Sequence, residues 1–169
     1  MDGPKIFEKL KAAMPDAVMA SGSFAGQDWV EVERGNSLAV LRLLRDDPDF
    51  SFDCLMDLTA VDWLNQGMPE RFCVVYNLFS YRDKIYFRVK TWVPEEDPVV
   101  DSASGLWKSA PWAEREVYDL YGIEFEGHPN LKRLMLPEYY TGHPLRKDYP
   151  LTGAGERDHF QKYNRETGE

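Results

Sequence analysis

Three histidines, His128, His143 and His159, are the side chains best suited to bind a metal or move a proton, and all lie in the last third of the 169-residue chain. Two of them share a tripeptide, Gly127-His128-Pro129 and Gly142-His143-Pro144. They stand fifteen residues apart, a spacing that no helix face and no familiar zinc motif uses, and HExxH is absent. A metal site would have to be assembled by folding, with Glu138 or Asp148 added, and a small stand-alone metallohydrolase is the function that would follow. Turn punctuation, with imidazoles hydrogen-bonded to neighbouring chain, is the favoured reading. Carboxylates at Glu114, Glu116 and Asp119 could supply an acid–base pair, which catalysis needs at two different pKa values near one cleft. On a single helix, however, Glu114 and Glu116 point about 200° apart. Asp119 is expected to pair with Arg115 at i, i+4, a contact of about 0.2–0.5 kcal/mol when exposed. Glu116 is expected at the edge of the buried stripe, where it would need a partner cation.

The remaining chemistry is sparse. Cys54 and Cys73 lie in apolar stretches and form no CxxC pair. Two buried free thiols in a reducing compartment are expected, and an iron–sulfur cluster or structural zinc would need more thiolates. There is no GxxxxGK[ST], no GxGxxG after a strand and no GxSxG, so phosphate-cradling loops and a serine nucleophile have no support. The chain carries 20 Lys+Arg against 29 Asp+Glu, a formal net charge of −9, and so has no global attraction for nucleic acid. Residues 128–150 run against that average, with Lys132, Arg133, Arg146 and Lys147 facing Glu138 and Asp148. Four cations with interleaved tyrosines could contact RNA, but the prolines and the acidic remainder point to a protein or lipid-proximal partner instead.

These residues must be positioned by a single core, since a chain of this length buries roughly 70% of its unfolded surface. No run approaches the ~18 consecutive apolar residues of a membrane span, and no basic start followed by an apolar stretch suggests a secretory leader. Residues 4–13 read as an amphipathic helix with Ile6, Leu10 and Ala13 on one side. Short strands follow at 17–24 and 29–34. A helix capped by Asn36 or Ser37 then carries Leu38, Val40, Leu41 and Leu44 inward and ends at Asp46-Asp47-Pro48. Three strands come next. The first places Phe52, Cys54, Met56, Leu58 and Ala60 on one face; FCVVYNLF at 72–79 is apolar on both; 85–92 alternates cleanly. After a polar break at Pro94–Pro98, residues 102–109 suggest a short helix. A second helix opens at Pro111, with Ala113, Val117, Leu120 and Tyr121 in one stripe, and stops at Gly122. From Ile123 prolines and glycines recur among aromatics that want burial. The expectation is an α+β fold: a small mixed or antiparallel sheet with helices packed on it over residues 1–122, then an extended Pro/Gly-rich docking arm over 123–169.

Specific blocks carry more. Trp112-Ala113-Glu114-Arg115-Glu116-Val117-Tyr118-Asp119-Leu120-Tyr121-Gly122-Ile123, then Phe125-Glu126-Gly127-His128-Pro129, closely resembles the C-type, 30-kDa-type subunit of respiratory complex I, the NADH:quinone oxidoreductase. Gly142-His143-Pro144-Leu145-Arg146-Lys147-Asp148-Tyr149-Pro150 is similar to the next block of that family. DLTAVDW at 57–63 and RFCVVYNL at 71–78 resemble its middle strands. The resemblance implies a peripheral-arm subunit with no catalytic residue and no cofactor of its own. FMN, iron–sulfur clusters and quinone would belong to the assembled, proton-pumping complex. The implied neighbours are the D-type, quinone-site subunit and the B-type, cluster-bearing subunit, on the cytoplasmic side of the bacterial inner membrane. The expected subunit interface is carried by Glu114, Arg115, Glu116, Asp119, Gly122, Gly127, His128, Pro129, Lys132, Arg133, Gly142, His143, Pro144, Arg146, Lys147, Asp148, Tyr149 and Pro150. Arg115, Glu116, Arg146, Lys147 and Asp148 are expected as its desolvated polar anchors. The same domain occurs in membrane-bound hydrogenases and in quinone reductases with another electron donor, which stay open as alternatives.

Overall fold

Alternation along one nine-residue strand sets the layers. In a computed structural model, which describes residues 3–155, Phe72–Ser80 turns Phe72, Val74, Tyr76 and Leu78 into the core, each fully buried. This strand, β4, is paired antiparallel on both sides, with β3 (Cys54–Asp62) and β5 (Ile85–Val93). β5 continues to β2 (Gln27–Val32) in parallel, and β2 pairs antiparallel with β1 (Val18–Phe24). The sheet is therefore mixed, in the order β1-β2-β5-β4-β3.

Helices cover one face. α1 (Gly3–Ala13) buries Ile6 and Leu10, and α2 (Ser37–Asp46) buries Val40, Leu41 and Leu44, the i, i+1, i+4 stripe expected of a half-buried helix. α3 (Ala110–Tyr121) lies against β3 and shares the same core. The opposite sheet face carries no helix among the described residues. Cys73 and Val75 are nonetheless buried there, because Trp92 and Trp63 lean over them. Burial pushes the Cys73 thiol up to about 12, so it is a packed, unreactive sulfur.

Several local expectations need correction. A register shift between Leu55 and Asp57 puts a bulge at Met56, so Leu55, Leu58 and Ala60 point inward while Met56 is exposed. Residues 102–109 form turns, and α3 starts at Ala110. The side-chain amide of Asn36 donates to Glu33 and does not cap α2. Two three-residue strands, β6 (Val99–Asp101) and β7 (Glu124–Glu126), pair in parallel as a second small sheet. They are too short for any period to reveal, and they join the chain on either side of α3. Beyond β7, residues 127–155 form no helix or strand. His159 lies outside the described residues.

Candidate partner-binding site

α3 is the axis around which the later chain is arranged. Its buried stripe runs through Ala110, Glu114 and Val117, so a carboxylate sits where an apolar residue is the default. Glu114 Oε2 accepts from the Ser102 hydroxyl at 2.6 Å and Oε1 from the Ala103 amide at 2.6 Å. Burial without a bonded cation pushes its carboxyl up to about 7, although those two donors pull the other way. His128 Nε2 stands 3.9 Å from Glu114 but is hydrogen-bonded to the Pro111 carbonyl at 3.0 Å. His128 Nδ1 accepts from the Asn130 amide, which leaves Nε2 as the nitrogen that donates to the Pro111 carbonyl.

Asp119, also fully buried, faces the later chain. Its Oδ2 accepts the backbone amides of Leu134, Met135 and Leu136 at 2.7–2.9 Å, and Oδ1 accepts from Arg133 Nη1 at 2.7 Å. Burial alone would raise this carboxyl; the amides and the guanidinium outweigh it and hold it below the usual carboxylate range. Arg115 donates to the carbonyls of Lys132 and Arg133 and lies over the Trp112 ring. The expected Arg115–Asp119 pair is absent, because each side chain finds better partners in 132–136. Glu116 is exposed, not half-buried, and Glu114 and Asp119 take the interior positions. The helix is buried on two sides, by the sheet and by the later chain, whereas a single apolar stripe allows for one.

The last carbonyls of a helix have no intrahelical donor. Here Gly122 N–H serves Tyr118, His143 Nδ1–H serves Asp119, Leu145 N–H serves Leu120 and Arg146 Nε serves Tyr121. Arg146 also places a cation at the negative end of the helix dipole. Gly122 adopts φ 73°, and a Cβ there would lie 2.6 Å from both Arg146 Nη2 and His143 Nε2. Both the left-handed turn and the close approach therefore need glycine. Burial, with Arg146 and Arg133 nearby, lowers the His143 pKa despite its bond to Asp119.

Lys147 and Asp148 reach a third place. Asp62, the last residue of β3, and Arg71, just before β4, pair inside the mouth of the hairpin with side-chain exposures of 0% and 5%. Asp62 Oδ2 accepts the Lys147 amide at 2.8 Å, and Arg71 Nη2 donates to Asp148 at 2.7 Å. Glu95 completes the set on Arg71. The Arg71 pKa is raised, first by Asp62, and Asp62 is held below the usual carboxylate range although burial opposes this. Tyr149 meets Tyr140 hydroxyl to hydroxyl at 2.6 Å, and a Cβ on Gly142 would come within 2.4 Å of the Tyr149 ring. Gly127, Pro129, Lys132 and Pro150 are exposed, and Pro144 is half-buried.

Asp62, Arg71 and Ser102 were not singled out by sequence reasoning. Opposite charges flanking one hairpin, Asp62 and Arg71, are the signal that could have found the pair. His128 and His143 do not converge: they bond carbonyls about 12 Å apart along α3 at 1.5 Å rise per residue. Among the described residues no three His, Cys, Asp or Glu side chains gather as metal ligands. What the arrangement can do is present a surface. Glu114, Asp119 and the cations bonded to α3 turn inward, while Trp112, Met135, Tyr139 and Leu145 stay exposed at 45–64%.

Residues 30–155 match the family model described as respiratory-chain NADH dehydrogenase, 30 Kd subunit. The chain is 48% identical over 145 residues to the C-type subunit of NADH-quinone oxidoreductase from Citrifermentans bemidjiense, covering 86% of this chain and 88% of that one. It is 44% identical over 156 residues to the corresponding subunit of Roseiflexus castenholzii, covering 92% and 88%. A solved trypsin-resistant fragment of Nqo5 is 35% identical with a TM-score of 0.67, covering 76% of this chain and 98% of the fragment. A chain of the membrane-bound sulfane sulfur reductase, an archaeal respiratory membrane complex, shares the fold at 20% identity and a TM-score of 0.75, covering 99% and 98%. Among the described residues no helix is long and apolar enough to cross a membrane. The chain thus belongs to the 30 kDa subunit family of the respiratory-chain NADH dehydrogenase, as one subunit of the NADH-quinone oxidoreductase.

Proposed function

We propose that the chain is a non-cofactor-bearing, peripheral-arm subunit of a proton-pumping NADH:quinone oxidoreductase. Its part is to hold neighbouring subunits together while FMN, iron–sulfur clusters and quinone, carried elsewhere in the complex, do the electron transfer. The α+β body of 1–122 is the folded platform, and 123–169 is the arm that docks on partners. Those partners are the D-type, quinone-site subunit and the B-type, cluster-bearing subunit, on the cytoplasmic face of the bacterial inner membrane.

One observation carries this reading. Arg115, Asp119, Arg133 and Arg146 spend their charges on the chain itself, while Trp112, Met135, Tyr139 and Leu145 stay exposed. Large aromatic and methionine side chains of this kind are enriched where proteins meet partners. Exposed Lys132 and Lys147, in the same stretch of chain, suit a partner with carboxylates at its rim.

Mass spectrometry of what co-purifies with the tagged chain tests the reading. Recovery of the quinone-site and cluster-bearing subunits with NADH:quinone reductase activity is expected. Recovery of hydrogenase or sulfur-reductase subunits instead would replace the electron donor, and recovery of the chain alone from native membranes would overturn the scaffold role.

A further inference from the structure

We infer that the Asp62–Arg71 pair is an anchorage built into the sheet for residues 145–148 of the same chain, so that the surface offered to a partner is already formed before any partner arrives. Four consecutive residues make four bonds. Leu145 N–H reaches Leu120, Arg146 reaches Tyr121, Lys147 N–H reaches Asp62, and Asp148 receives Arg71. Two bonds close the end of α3 and two close the mouth of the β3–β4 hairpin. The same short stretch thus bridges elements that are far apart in sequence.

The hairpin mouth is unfinished without it. Asp62 accepts four hydrogen bonds: from Leu64 N–H at 2.9 Å, Arg71 Nε at 3.2 Å, Arg71 Nη2 at 2.9 Å and Lys147 N–H at 2.8 Å. The last comes from 85 residues away and is the only one the hairpin cannot supply itself. Arg71 is shared among Asp62, Glu95 and Asp148, three carboxylates to one guanidinium. Arg146 brings a second cation to the same place, and both guanidiniums lie over the Phe72 ring, at 4.9 and 5.2 Å. Lifting 145–148 away would leave a buried ion pair short of donors and a helix end short of caps, so the closed arrangement is favoured in the free chain. Lys147 contributes its amide here, which frees its side chain for the outer surface.

This inference rests on the reading of 112–150 as the docking face, but its test needs no partner. Hydrogen exchange is followed on the free, full-length chain. The amides of 145–148 are expected to exchange slowly in the wild type. Asp62→Asn should speed them at least about tenfold, the loss of a charge-assisted bond, while amides of β5 stay protected. If Asp62→Asn also deprotects the sheet, Asp148→Asn decides, because that side chain is half exposed and its loss leaves the core intact. Exchange of 145–148 at unprotected rates in the free wild type, or at unchanged rates in Asp148→Asn, overturns the anchorage. Failure to recover partner subunits would overturn the docking reading and leave the exchange result standing.

Discussion

Glu114 Oε2 takes the hydroxyl hydrogen of Ser102 at 2.6 Å inside the core, and among the described residues no guanidinium or ammonium is bonded to either carboxylate oxygen. Burial therefore pushes the carboxyl to about 7, above the 4.5 of an unfolded glutamate. The folded protein holds a proton that the unfolded chain has released, so this contribution to stability is full below about pH 4.5 and is lost as pH rises through 7. The loss can reach on the order of 3 kcal/mol, at about 1.4 kcal/mol per pH unit. His143, with its pKa lowered, works with the opposite sign: its contribution grows as pH rises through the usual histidine range. A difference measurement separates the two. Glu114→Gln keeps an acceptor for Ala103 and offers a donor to Ser102, whose own hydroxyl can turn to Ser104 at 2.8 Å. Urea midpoints between pH 5.5 and 8.5 should fall for the wild type relative to Glu114→Gln. Parallel curves would show that Glu114 does not titrate there.

Asp119→Ala tests the other buried acid. It would strip a partner from three consecutive amides and from Arg133 at once. Breaking a buried ion pair from one side costs about 3–5 kcal/mol, and a loss at the lower end is expected because 132–136 can partly reach water. Equilibrium unfolding gives the number; a change below about 1 kcal/mol would mean that solvent replaces the cradle.

Two glycines with similar backbone angles make a controlled comparison. Gly122 (φ 73°) and Gly127 (φ 80°) both occupy the left-handed region, but a Cβ at Gly127 would meet nothing within 4 Å. Gly127→Ala should cost about 1–2 kcal/mol, from the conformation alone. Gly122→Ala must in addition displace His143 and Arg146 from the end of α3, so its cost should be larger by at least about 1 kcal/mol. Equal losses by thermal or chemical unfolding would show that the packed imidazole and guanidinium yield freely.

How much of this could be read in advance depends on length and on where partners lie. β4 and β5 run nine residues each, long enough for a continuous apolar run to declare the one and alternation the other, and the i, i+1, i+4 stripe of α2 is equally plain. β6 and β7 have three residues and no period, and a one-residue bulge at Met56 turned the first half of β3 over. On α3 the default of charge outward failed for Glu114 and Asp119. Their donors sit 11 to 17 residues away in chain without periodicity, so nothing local marks the acids as satisfied. The repeated Gly-His-Pro was visible as a motif but not as a function: His128 bonds the first turn of α3, and His143 caps the last.

The exposed apolar side chains can be separated from the bonds that hold the chain beneath them. Trp112 is 61% exposed with Arg115 5.3 Å above its ring, and Met135 is 64% exposed. Neither side chain fills the core, so Trp112→Ala and Met135→Ala should change the stability of the free chain by no more than about 0.5 kcal/mol. In an interface, large aromatic anchors that become fully desolvated dominate binding, with truncation costs of about 2 kcal/mol or more. Capture of partner subunits by Trp112→Ala should accordingly weaken by about thirtyfold, and Met135→Ala by less. Reversal of the exposed charges, Lys132→Glu with Lys147→Glu, should slow association and weaken its dependence on salt, while dissociation changes little. If Trp112→Ala assembles with wild-type affinity while the Lys pair abolishes it, the contact is electrostatic at its centre, and Trp112 lies outside it.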